Sequence, residues 1–536
     1  MGIQLEKREL PIARLAGQGL AEISLQRSAA LPSDLPDMSG AESEVVLWAG
    51  GTPVVNMVES NMGEVRIEGH IHSRLLYISH GEPGTVHGAS LDEPRFEATI
   101  PVPGATPGMD AEADVRLVQF SAESTGPRGI SFTAALAVRV DLIQRGTVDA
   151  AVSVQASGGS RVSVLTDEVC VKQEVATVSD DVPLSETLEL PEDYPVLGNS
   201  RSQVGAAGAA RIVGTTVSEG RVTVDAEIAV EAAYAVPRGV PAVNILSYDR
   251  IGIRKTFEVP EARKGMKVTA SATLSRLAVT PDPPRTLVLE GVLSISATVA
   301  ESRRISVITD IISESTEIVD AQTETVVTDQ VVAEERLEFT VEESVSLHAA
   351  KEQRALSGME EVRSTRGAVC LTSAELFDGE VAVRGSIAAH AIFGDVAEDE
   401  EGQFPTAFAV DVPVEFSDSA DVAGVEEDDR VLVSAAVEGL RLERPAPSKL
   451  ELEAVVRVDV SVLRERAVAV VTSAEMVTPV RLDPYSMTFY VAGPRDTLGR
   501  IAKRYGVPPD RIAAANNMSP TDTLSCGQKI YIPARL

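Results

Sequence analysis

The residues of this chain able to do catalytic or metal chemistry include six histidines and three cysteines among 536 residues. His70 and His72 stand two apart on one strand face, with His80 and His87 following, a spacing at which two imidazoles can share a metal ion. Equivalent positions further along the chain hold Glu227 and Ala229, then Ser386 and Ala388, so the fold does not require imidazole there and no metal site is expected. The acidic run Asp395, Glu398, Asp399, Glu400 and Glu401 lacks the ligand spacing of an EF-hand and reads as a solvated hairpin loop. Gly-x-Ser-x-Gly, the Walker A loop, the dinucleotide-binding glycine fingerprint and His-Glu-x-x-His do not occur. No catalytic residue and no cofactor is expected. Cys170, Cys370 and Cys526 are isolated, without metal or redox spacing, and read as core thiols of a reduced, intracellular protein.

The elements that would carry these residues follow from composition. Hydrophobic residues make up 44% of the chain but aromatics only 4%, with Trp48 the sole tryptophan, so the cores must be built from Val, Ile, Leu and Ala. Such residues pack well on pleated sheets. The formal charge is −32, and no basic stripe precedes residue 487, which argues against nucleic-acid binding. The last fifty residues depart from this. Residues 487–536 carry seven basic and three acidic side chains, a net charge of +4 against −36 for the rest. A basic head on an acidic body is drawn to anionic partners, its own body among them. The first residues lack the apolar run of a secretory signal, and no stretch reaches the roughly 18 apolar residues of a membrane-spanning helix.

Most of the chain is one kind of unit written three times. Strand patterns at residues 63–77, 220–234 and 379–393 each open on a glycine, alternate apolar with polar residues, and end on an aromatic. Alternation of this kind marks a strand with one buried face. The glycines recur at intervals of 157 and 159 residues. Phe96 to Pro101 is aligned with Phe257 to Pro260 and with Phe408 to Pro413, and Gly108-Met109 and Gly265-Met266 open further strands. Further strands at 130–140, 287–299 and 450–460 close the units, and prolines are expected at strand ends. Alternating stretches at 161–167, 304–310 and 466–472 read as versions of one extended arm between units. The expected fold is mostly β: three repeated antiparallel sandwich or open-barrel-like units with long connecting strands, at residues 1–160, 161–302 and 303–481, before a small βααβ domain at 487–536. Exposed edges of long strands invite self-assembly.

Leu-Pro-Ser-Asp-Leu-Pro-Asp at 31–37, repeated as Leu-Pro-Glu-Asp-Tyr-Pro at 190–195, together with the strand at 96–101 and Pro-Gly-Met-Asp at 107–110, resembles the SPOCS domain of bacterial spore-coat proteins. The third copy has no Leu-Pro-x-Asp-x-Pro near Leu347.

In the terminal domain, strand 487–491 leads to Asp496 or Thr497 as a helix cap. Leu498, Ile501, Ala502 and Tyr505 then follow at helical spacing, and Gly506 stops the helix. Pro508-Pro509-Asp510 opens a second helix through Ala515, and residues 529–532 form a second strand. Tyr490-Val491, Asp496-Thr497-Leu498, Ile501-Ala502, Tyr505-Gly506-Val507, Asn516-Asn517, Gly527-Gln528-Lys529-Ile530 and Ile532-Pro533 fall in register with, and closely resemble, a LysM domain. The resemblance implies a shallow groove for N-acetylglucosamine-containing glycans formed by Asp496, Thr497, Leu498, Met518, Ser519 and Pro520. Arg495 stands where the family usually has glycine, and Cys526 where it usually has proline, which makes Arg495 a candidate contact to a protein partner.

Together the two resemblances imply a non-enzymatic scaffold of the endospore coat, in the mother-cell cytoplasm at the forespore surface. They imply as partners the coat's basement-layer ATPase and other coat proteins. The alternatives are an anchor that binds peptidoglycan of cortex or wall, and a fibre- or phage-like structural component.

Overall fold

The structure is a computed structural model that describes residues 3–38, 45–80, 85–156, 162–192, 194–197, 203–236, 242–313, 318–346, 361–377, 379–394, 407–477, 488–493, 496–519 and 522–533. Among the described residues, eighteen strands in six antiparallel three-stranded sheets form the body, two sheets to a unit. The first unit pairs β1 (Ile3–Ala30), β6 (Gly129–Ala156) and β5 (Asp110–Ser124) in one sheet, and β2 (Val46–Asn61), β3 (Glu64–Ile78) and β4 (Val86–Pro101) in the other. The second unit repeats this order with β7 (Val162–Glu189), β12 (Thr286–Ser313) and β11 (Lys267–Asp282) against β8 (Val204–Ser218), β9 (Arg221–Val236) and β10 (Ala242–Glu258). The third does so with β13 (Ile318–Ser346), β18 (Lys449–Val477) and β17 (Arg430–Ala446) against β14 (Glu361–Phe377), β15 (Glu380–Gly394) and β16 (Ala407–Asp421). An apolar cluster lies between the two sheets of each unit, with Ile67 and Leu136, Ile228 and Leu289, and Ile387 and Val456 at its centre.

The three glycine-led strands are the middle strands β3, β9 and β15. Their glycines are needed: Gly63, Gly220 and Gly379 have φ of 77°, 72° and 80°, where a side chain is strained. Each is bracketed by two backbone hydrogen bonds to the turn ending the next hairpin. Gly63 binds Ala105 and Val102, Gly220 binds Ala262 and Val259, and Gly379 binds Val425 and Val422. These bonds correct the sequence alignment of the copies. Phe257 faces Val222 as Ile100 faces Val65, and it is Phe416, opposite Gly385, that corresponds to Phe96 opposite Gly69. Phe408 instead lies opposite Phe393.

Prolines are also placed differently from expectation. Pro11, Pro53, Pro94, Pro183 and Pro413 lie within strands, all of them edge strands, whereas the middle strands β3, β6, β9, β12, β15 and β18 contain none. An edge strand has one side of N–H groups without a ladder partner, so proline costs it nothing there.

The arms are not separate linkers. β6, β12 and β18 run on beyond their sandwiches, and their second halves pair only with the first halves of β1, β7 and β13, giving three two-stranded ribbons. The stretch at 162–167 therefore belongs to the opening strand of the second unit. It is Val148 that corresponds to Ile305 and Val468. An expected boundary at 302 cuts through β12, and the third unit's first strand begins at Ile318.

The ribbons pack on one another with approximate threefold equivalence. Leu10, Val169 and Val326, then Val148, Ile305 and Val468, then Ala150, Val307 and Val470 meet in one buried cluster, each trio taking one residue per unit. A second cluster continues towards the ribbon ends with Ala151, Ile308 and Val471.

Of the cysteines, Cys370 is buried, but Cys170 and Cys526 are exposed, so the expectation of core thiols holds only for the first. The acidic run at 395–401 lies outside the described residues.

Candidate functional site

The terminal domain is built by local signals. β19 (Thr488–Val491) pairs with β20 (Lys529–Ile532), and two short helices, α1 (Leu498–Tyr505) and α2 (Pro509–Ala515), pack on one face. The Thr497 side chain caps α1 by accepting from the Arg500 N–H at 3.2 Å, and Gly506 ends it at φ 63°. Leu498, Ile501, Val507, Ile512, Ile530 and Ile532 form the core.

The expected groove residues are placed as follows. Leu498 is buried, and Met518 packs half-buried on the same apolar cluster, so the turn before α1 and the turn after α2 share one support. Asp496 Oδ2 accepts from the Tyr490 hydroxyl at 2.6 Å and from the Gly493 N–H at 2.7 Å. Burial alone would raise the Asp496 pKa. The two hydrogen bonds, with Arg500 and Arg504 nearby, outweigh it and hold the carboxyl below its usual value. The Ser519 N–H donates to Asp522 Oδ2 at 2.8 Å. Thus an oxygen of Asp496 and the hydroxyl of Thr497 are used to shape the loops. Arg495 and Pro520 lie outside the described residues.

The sequence motif also contains a residue whose role was missed. Asn516 donates to the carbonyls of Ile512 and Tyr531, both at 2.7 Å, and accepts from the Tyr531 N–H at 2.7 Å, bracketing α2 to β20. Asn516→Ala is expected to destabilise the head by about 2 kcal/mol, since three partly buried partners lose their bonds. Faster hydrogen exchange at the β20 amides would report it.

His70 and His72 stand in a hydrogen-bonded row on one sheet face. His72 Nδ1 lies 2.7 Å from Asp92 Oδ1 and its Nε2 lies 3.2 Å from Ser90 Oγ, while His70 Nε2 is 3.8 Å from the same aspartate. Ser90, His72 and Asp92 thus have the connectivity of a nucleophile, base and orienting acid. The row lies on an open sheet face, however, with the Asp92 side chain 72% exposed. A catalytic triad needs a buried acid and donors for the developing oxyanion. A depression over Ser179, Asp181, Ser271, Ser294 and Ser296 is likewise open sheet surface on which Ser271 bonds Ser296 and Ser294 bonds Asp181.

The Leu-Pro-x-Asp-x-Pro motif has a structural role. Arg128 reaches from the β5–β6 turn to the carbonyls of Leu31, Pro32 and Leu35, and Arg285 does the same to Pro191 and Glu192. The hydroxyls ending the repeated strands complete the clamp, Tyr77 donating to Pro36 O at 2.9 Å and Tyr234 to Pro195 O at 2.7 Å. In the third unit the equivalent aromatic is Phe393, which has no hydroxyl, and the motif it would bind is missing from the sequence too.

Family comparison matches residues 490–533 to the LysM domain and residues 44–125 and 359–443 to the SipL, SPOCS domain. The chain carries SPOCS domains and a LysM domain. No curated protein and no solved structure matches it. The SPOCS segments cover β2–β5 and β14–β17, and β8–β11 of the second unit repeat their order and pairing. Both domain families are non-catalytic. The LysM domain points to peptidoglycan or glycan binding and the SPOCS domain to sporulation. No helix among the described residues is long and apolar enough to cross a membrane.

Proposed function

We propose that the chain is a non-enzymatic scaffold of the endospore envelope whose SPOCS units form a stiff body and whose LysM head docks a coat basement-layer protein, in the mother-cell cytoplasm at the forespore surface. The observation that carries this reading is the joining of a sporulation-associated β body to one compact recognition head. The head's charge supports a protein partner: +4 on a chain of −32, with Arg500 and Arg504 on α1, while Lys503 pairs with Asp310 of the body at 2.5 Å. The use of Asp496 and Thr497 in shaping their own loop supports it as well, since it leaves fewer side-chain groups for a sugar.

The second reading is a peptidoglycan anchor, favoured by the LysM match itself. Met518→Ala and Ser519→Ala in the full chain separate the two. Retention of a coat ATPase from sporulating-cell extract, unchanged by these substitutions and with no sedimentation on purified peptidoglycan, is the expected result. Sedimentation with peptidoglycan that the substitutions abolish, without ATPase retention, would establish the anchor instead. Self-assembly through ribbon edges is a further part of the proposal. It must overcome the like charges of the exposed Glu168 on β7 and of Asp320 and Glu324 on β13, so association between copies should strengthen with salt, whereas Asp167, Glu174 and Glu334 are already paired with Arg466, Arg145 and Lys267.

A further inference from the structure

Among the described residues, Glu231 is the one charged residue buried as a whole, and neither fold nor binding head requires it. Glu231 lies on β9, eleven residues after Gly220, and Arg74 and His390 take the same place after Gly63 and Gly379. The Glu231 side chain is 6% exposed. It accepts from Trp48 Nε1 of the first unit at 2.7 Å, lies 2.7 Å from His390 Nε2 of the third, and has Arg366 of the third at 3.5 Å. Three equivalent positions therefore carry a cation, an anion and an imidazole, and the partners of the anion among the described residues come from the two other units. Trp48 reaches it by lying against Gly205, where a Cβ would meet the indole at 2.5 Å. Around it Leu76, Ala233, Ile245 and Ile392 from all three units form an apolar collar.

We propose that Glu231 is a latch that orders the three units around one another, and that releasing it opens the body between units without unfolding the units themselves. Three copies of one fold could pack in either cyclic order through apolar contacts alone. Distinct charges at one repeated position make a single order preferable, because a wrong neighbour leaves a buried charge without its partner. The sandwich cores do not pass through this site, so each unit keeps its own packing when the latch opens.

Acid should release the latch. Burial would raise the Glu231 pKa, but the charge and hydrogen bond of His390, then Arg366 and Trp48, outweigh it and bring the carboxyl down to about 2. A depressed carboxyl pKa gives stability that is full above the usual carboxylate range and lost as pH falls towards the folded value.

The sole tryptophan is itself the reporter, since Trp48 is 5% exposed and touches the carboxylate. The test follows Trp48 emission and far-ultraviolet strand signal through urea titrations of the full chain, for the native protein, Glu231→Gln and the milder His390→Gln. At neutral pH, Glu231→Gln should raise the opening equilibrium on the order of a hundredfold. Its emission should shift at lower urea than its strand signal is lost, and His390→Gln should move it the same way by less. Near pH 3 the native protein should approach Glu231→Gln. Should Glu231→Gln not fold, His390→Gln and the native pH series carry the same comparison. Coincident emission and strand transitions in every protein that folds, or emission midpoints unchanged by the substitutions at neutral pH, would overturn the proposal.

Discussion

Val307→Asp should unfasten the three ribbons, at a cost of about 4 kcal/mol or more. Val307 is fully buried at the level where Ala150 and Val470 meet it from the other two units. An aspartate there must either ionise among valines and alanines or take up a proton, and in both cases its carboxyl lacks the hydrogen bonds that water supplied in the unfolded chain. Val307→Ala at the same site loses only packing, about 2 kcal/mol. Limited proteolysis should distinguish them: the aspartate variant is cut within β1, β7 or β13 while the sandwiches survive, and the alanine variant resists. Cleavage spread equally through the sandwiches of the aspartate variant would mean that ribbons and sandwiches fold as one.

Arg430→Met is expected to cost about 2 kcal/mol at neutral pH, below the range for a fully buried ion pair because Arg430 and Asp329 are only partly buried. Arg430 ties the first unit to the third. Its guanidinium donates to the Leu15 carbonyl and pairs with Asp329, while Arg14 of the first unit holds Glu465 of the third at 2.6 Å. Burial raises the Asp329 pKa despite Arg430 and Arg14 beside it. A carboxyl whose folded pKa lies above its unfolded one weakens the fold at high pH, and that weakness is relieved as pH falls through the folded value. Removing the guanidinium raises this pKa further. The deficit of Arg430→Met should therefore be greatest at neutral pH and shrink in mild acid because the variant recovers there, whereas the deficit of Glu231→Gln shrinks because the native protein weakens. Thermal melts of the variant and native chains at a series of pH values would read the difference, and a deficit that grows on acidification would contradict it.

How much of this was legible in the sequence depends on how far apart the deciding residues lie. Thr497, Gly506 and Pro509 set the ends of α1 and α2 through neighbours within a few positions, and the head's elements could be read from them. Gly63, Gly220 and Gly379 marked the three middle strands because a turn requiring positive φ leaves a local signature. Register did not leave one. Phe96 and Phe257 look alike in the sequence but stand at different levels of their hairpins, a difference fixed only by the bonds of Gly63 and Gly220 to the following turn. Likewise a proline reports that a strand lacks a partner on one side, yet edge and end positions both satisfy that condition. Asp496 and Thr497 could be read both as cap and as groove residues, because capping and recognition draw on the same residue types, and the structure shows Thr497 capping α1 and Asp496 holding its loop. The Glu231 site was invisible for a simpler reason: its partners Trp48 and His390 are contributed by other units.

The ribbons also decide how the molecule bears a pull. β18 is one strand of 29 residues that passes from the third sandwich into its ribbon and ends at Val477, the side from which the head follows in the chain. At about 3.3 Å per residue it spans about 95 Å. Tension on the head acts along this strand, while the hydrogen bonds to β13 run across it. The bonds are therefore strained side by side in shear and must yield together, whereas a ladder peeled from its end gives way one rung at a time. A layer tethered through the head would be held by the load-sharing of a lap joint.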